Sequence, residues 1–68
     1  GRAGILNDVV SRILESDVEM VGVKSYEGKS GELNIVLQLQ LAHLDQLKKV
    51  KQLLKSIPDV IAVYRPRH

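Results

Sequence analysis

The chain has 68 residues, 44% of them hydrophobic, a formal net charge of +2 and no cysteine. A chain of this size buries only about 60% of the surface it exposes when unfolded, and neither a disulfide nor a thiolate-bound metal can add to that. The hydrophobic content excludes a disordered chain, no apolar run approaches the roughly 20 residues of a membrane span, and nothing resembles a signal peptide, so we expect a single cytoplasmic domain over residues 1–68 with no membrane partner.

Ile5, Leu6, Val9, Val10, Ile13 and Leu14 recur at helical spacing, and Asn7, Asp8, Ser11, Arg12 and Glu15 cover the opposite side. This predicts a first helix over 5–15. Gly4 stands at its amino end, where we expect a sharp turn that exposes helical N–H groups. Ser16-Asp17 ends the helix. A strand is predicted over 18–26. Its alternation is broken, because Val18 and Met20 share one parity and Val21 and Val23 the other. Either the strand starts late or a bulge lies near Gly22. Glu27-Gly28-Lys29-Ser30-Gly31 reads as a hairpin loop.

The next strand is the plainest element. Leu33, Ile35, Leu37, Leu39 and Leu41 alternate with Asn34, Val36, Gln38 and Gln40. The leucine and isoleucine face should pack on helices. A second helix is predicted from about 44 to 57, with Leu44, Leu47, Val50, Leu53, Leu54 and Ile57 on one face. Lys48, Lys51 and Lys55 form an adjacent stripe. Pro58-Asp59 stops that helix, and Val60-Ile61-Ala62-Val63-Tyr64-Arg65 reads as a last strand closed by Pro66.

The order helix, strand, strand, helix, strand is an α+β sandwich, a ferredoxin-like βαββαβ fold lacking its first strand in this chain, with two helices on one face of an antiparallel sheet. That strand would lie between the one at 32–41 and the one at 60–65. Its place should be filled by another chain, by strand rearrangement or by further residues.

Several candidate chemistries compete with plain structural readings. Residues 1–34 carry four basic and six acidic side chains, a net of −2, and residues 35–68 six basic and two acidic, a net of +4. Lys48, Lys49, Lys51 and Lys55, with Arg65 and Arg67, could meet phosphates, or could be a solvated helix face. Tyr26 and Tyr64 lack the spacing of a base-stacking sheet. His43 and Asp45 are too few for a metal site, and His43 reads better as a helix cap. No serine has an evident base, and no glycine-rich phosphate loop is present, so no catalytic residue and no cofactor is expected. Val36, together with Val60, Ala62 and Tyr64 if they point outward, would form an apolar patch on the outer sheet face, which we expect to serve as an oligomer interface.

Arg2-Ala3-Gly4-Ile5-Leu6-Asn7-Asp8-Val9, the hairpin at 18–41, and the ending Leu53-Leu54-Lys55-Ser56-Ile57-Pro58-Asp59-Val60-Ile61-Ala62-Val63-Tyr64-Arg65 together resemble the ACT domain, a small regulatory module. The ending is most similar to the carboxy-terminal ACT domain of the Rel/Spo stringent-response enzymes, the GTP pyrophosphokinases that make and degrade guanosine tetraphosphate. The resemblance implies a non-catalytic regulatory and dimerisation domain that forms a dimer or higher homo-oligomer. It also implies an amino-acid effector between the Gly4 loop and the strand after the first helix, often across a dimer interface, at Ala3, Gly4, Ile5, Asn7, Val18, Glu19 and Met20. The structural alternative is that Gly4 only permits the turn and Ile5 is core. Because the resembled enzymes work on the ribosome, Lys48, Lys51, Lys55, Arg65 and Arg67 are the candidate contacts to ribosomal RNA or tRNA. A pure oligomerisation unit is the remaining reading.

Overall fold

The computed structural model describes residues 2–66, in the order α1 (Arg2–Glu15), β1 (Glu19–Glu27), β2 (Leu33–Gln40) and α2 (Leu44–Lys55). β1 and β2 form an antiparallel two-stranded sheet. Ile13 of α1, Val50 of α2 and Val18 are buried together, and Met20, Leu37, Leu39 and Leu41 pack against them. Both helices therefore lie on the leucine face of the hairpin. This is the expected α+β arrangement, a partial ferredoxin-like sandwich.

α1 follows its apolar stripe. Val9 and Ile13 at the stripe's centre are buried, whereas Leu14 at its margin is exposed. The helix is longer at its start than the spacing predicts and takes in Ala3 and Gly4. At its end, the Ser16 hydroxyl donates to the Ile13 carbonyl at 2.6 Å and accepts the Val18 N–H at 3.2 Å. The Ile13 carbonyl also accepts the Ser16 N–H at 3.1 Å, so Ser16 closes the helix end with both its backbone and its side chain.

The broken alternation of β1 is a bulge. Met20 pairs with Leu39 and Gly22 with Gln38, so Val21 is the extra residue. Inserting one residue switches the parity, which keeps Met20 and Val23 on the face that carries Leu39 and Leu37. The hairpin closes through Gly28 N–H to the Glu32 carbonyl (2.7 Å) and Gly31 N–H to the Gly28 carbonyl (3.0 Å). Gly31 has φ +82°, which a residue with a Cβ adopts only at a cost, so glycine is required there. The Glu32 carboxylate accepts the Ser30 N–H at 2.9 Å. Its pKa lies below the ordinary glutamate value because of hydrogen bonds from its own backbone N–H and from Ser30, with help from the Asn34 side chain.

His43 is the N-cap of α2, with extended backbone at φ −159° and ψ 165°. The third helical residue, Gln46, is buried. Its Oε1 accepts the N–H groups of Ala42 (2.5 Å) and His43 (3.3 Å), and its Nε2 donates to the Asp17 carbonyl at 3.4 Å. One amide thus caps α2 and fastens it to the turn after α1, 29 residues earlier in the chain. α2 ends at Lys55, slightly short of the predicted end, and Ile57 is buried beyond it. Ile57-Pro58-Asp59-Val60 is then a β-turn, closed by Val60 N–H to the Ile57 carbonyl at 3.2 Å, with Asp59 at φ 74°.

The predicted last strand is not paired. Residues 60–65 carry no ladder hydrogen bonds and belong to no sheet. The sequence has the residues of a strand, but pairing also needs an adjacent edge. Within the described residues, the helical connection carries this segment away from β2, and no strand stands between the two. The outer apolar patch therefore does not form as expected. Val36 is on the sheet and Val60, Ala62 and Tyr64 are outside it, and all four line a groove described below.

Two outcomes follow from these contacts. Gln46→Leu removes the side-chain acceptor of the part-buried Ala42 and His43 N–H groups and should cost about 0.5–1.5 kcal/mol in chemical denaturation. Glu32 should titrate below the ordinary glutamate value in an NMR pH series. Because its folded pKa is depressed, its support of the turn is present above the unfolded value and is lost as pH falls through the folded value.

Candidate functional site

A groove of about 990 Å³ opens beside β2. One wall is β2, which offers Leu33, Ile35 and Leu37. The other is the stretch 59–66, which follows the turn at Pro58 and has no regular structure. Ile5 and Val9 of α1 and Leu47, Val50 and Leu54 of α2 contribute apolar side chains, and Lys51, Arg65, Glu32 and Asp59 add charge. The groove exists because the leucine face of β2 is longer than the helices can cover. Leu37, Leu39 and Leu41 join the core, whereas Leu33 and Ile35 remain half-buried beside the opening. Across it, Ile61 is 98% exposed and Tyr64 72% exposed. A shallower depression of about 300 Å³ lies on the outer sheet face over Gly22, Val36 and Gln38.

The structure divides the seven residues proposed for an effector. Ala3, Gly4, Ile5 and Asn7 lie in the first two turns of α1, and Ile5 reaches the groove. Val18, Glu19 and Met20 follow the other end of the same helix. At 1.5 Å per residue, α1 is about 20 Å long, so a single chain does not bring the two sets together. Val18 is 6% exposed and belongs to the core, and Met20 packs against it. Only Glu19 of that set is exposed. The expected turn at Gly4 is also corrected. Gly4 is helical, its φ is not positive, and a Cβ built there meets nothing within 4 Å. The fold does not require glycine at this position, and the open space beside it lies at the positive end of the helix.

The basic residues divide as well. Lys48, Lys49 and Lys55 are exposed on α2, Lys51 is half-buried and lines the groove, and Arg65 lies along the groove's far wall. Arg67 lies outside the described residues. Gln46 is the residue that sequence reasoning missed. Its signal was its place three residues after a cap, the position from which an amide reaches back to the capping backbone.

Among the described residues, no group of three or more His, Cys, Asp or Glu side chains is placed to hold a metal ion, and no helix is long and apolar enough to cross a membrane. Gly4→Ala should raise helix stability by about 0.5–1 kcal/mol in thermal or chemical denaturation, because the position is helical, exposed and sterically open.

A comparison with protein families matches residues 1–65 to the ACT domain. No curated protein and no solved structure matches the chain.

Proposed function

The chain belongs to the ACT-domain family, and from that premise we propose that it is the regulatory and self-associating module of a cytoplasmic enzyme that makes or degrades guanosine tetraphosphate. ACT domains are in general regulatory, ligand-binding and non-catalytic. The family match over 65 residues carries the regulatory reading. The finer assignment is supported by the likeness of the ending Ile57-Pro58-Asp59-Val60-Ile61-Ala62-Val63-Tyr64-Arg65 to the Rel/Spo branch.

The effector in this reading is an amino acid. Its carboxylate meets the N–H groups at the start of α1, with Ala3, Gly4, Ile5 and Asn7 around it. Ile5 supplies apolar contact for an aliphatic side chain. Val18 and Met20 do not contact it within one chain, since both serve the core. Binding favours one arrangement of associated domains and shifts that population, which is how a small ligand acts on catalytic domains elsewhere in a parent protein.

Exposed Lys48, Lys49 and Lys55 favour a second reading, docking on ribosomal RNA or tRNA. One pair of titrations separates the two. Branched-chain amino acids should shift the backbone amide signals of residues 3–7. Flat spectra at millimolar ligand would remove the sensor reading. An RNA gel shift that weakens with salt and with Lys48→Glu plus Lys55→Glu would favour docking instead.

A further inference from the structure

The tip between β1 and β2 holds two glycines, and they serve different ends. Gly31 has φ +82° and is there for the backbone. Gly28 has no positive φ, so a residue with a side chain could adopt its backbone. What such a residue would lack is room. A Cβ built on Gly28 overlaps the Glu32 carboxylate and stands 2.7 Å from Asn34 Nδ2. Alanine fits at this position only by displacing those two side chains.

The displaced carboxylate is part of what fastens the tip. Gly28 N–H donates to the Glu32 carbonyl at 2.7 Å, and Gly31 N–H donates to the Gly28 carbonyl at 3.0 Å. Ser30 N–H donates to Glu32 Oε1 at 2.9 Å. Glu32 thus accepts from two residues of the tip, from Gly28 through its backbone and from Ser30 through its side chain.

We propose that the hairpin tip is a carboxylate latch: the Glu32 side chain is seated in the space that glycine leaves at position 28, and the tip opens when that carboxylate is neutralised or displaced. The ionised form is the closing form. A carboxylate accepts only, and its bonds from N–H donors are stronger than those to a neutral carboxyl. The lowered pKa of Glu32 has this cause, first its own N–H, then that of Ser30, then the Asn34 side chain. The other charged residues at the tip are Glu27, where the ladder ends opposite Leu33, and Lys29, which is exposed. Lys51, Asp59 and Arg65 share the groove that Glu32 borders. The latch is closed above the ordinary glutamate value and is lost as pH falls through the folded value. The β1–β2 ladder does not use this side chain and stays paired when the latch opens.

This inference concerns the hairpin alone and does not rest on the proposed function. Gly28→Ala tests it, read by amide exchange and an NMR pH series. The variant should return the Glu32 carboxyl to the ordinary glutamate value and speed exchange of the Ser30 amide roughly three- to tenfold. In a Glu32→Ala background the seat is already empty, and Gly28→Ala should add no further acceleration. Gly31→Ala is the contrast. Its cost lies in the backbone, so it should loosen the tip equally with and without Glu32. A Glu32 carboxyl that stays depressed in Gly28→Ala overturns the latch. So does a Gly28→Ala effect of equal size in both backgrounds, global unfolding included, because the glycine would then serve the backbone.

Discussion

A β-strand has two hydrogen-bonding edges, and in this chain β2 uses one of them. The organisation of the open side of the molecule follows from that constraint. Backbone N–H and C=O groups need partners, and a free edge is a template for another strand. The side chains of β2 follow the same division. Leu33, Ile35, Leu37 and Leu39 all line the groove, and of these Leu37 and Leu39 also pack against the core. Residues 60–65 have the composition of a strand but pair with neither described strand. The groove, the unpaired segment and the exposed Ile61 and Tyr64 are one feature seen from three sides.

The opposite side of the molecule is held by few groups, each with several contacts. Val9, Ile13, Val18, Val50 and Ile57 are the buried apolar residues. Burial of each contributes about 1.5–3 kcal/mol, a modest total for a domain of this length. Gln46 adds what apolar packing cannot, a directional tie between α2 and the turn that ends α1. Ser16 does the same locally, between the end of α1 and the entry to β1. The held side positions the helices over the hairpin, and the open side presents apolar surface suited to self-association.

Local pattern was the legible part of this sequence. The alternation from Leu33 to Leu41 reads directly as a strand, and the parity change between Met20 and Val23 reads as the bulge that the pairing shows. Both helices follow from their apolar stripes. What was not legible depends on distance. The stretch from Val60 to Arg65 has strand propensity, but propensity supplies no partner. Gly4 was read as a turn because glycine permits one, yet the helix begins earlier and includes it. Val18 stood beside the other proposed effector contacts in a sequence pattern, whereas packing makes it core. The reach of Gln46 to Asp17 spans 29 residues and leaves no periodic trace.

The central claim is that, among the described residues, β2 pairs along one edge and the Gln46 side chain holds α2 to the turn after α1. Amide hydrogen exchange at high dilution measures the pairing directly. The β2 amides that point toward β1 should exchange slowly and those that point away should exchange fast, in alternation along Leu33–Gln40. Equal protection of all the β2 amides would contradict the account, and so would fast exchange of all of them.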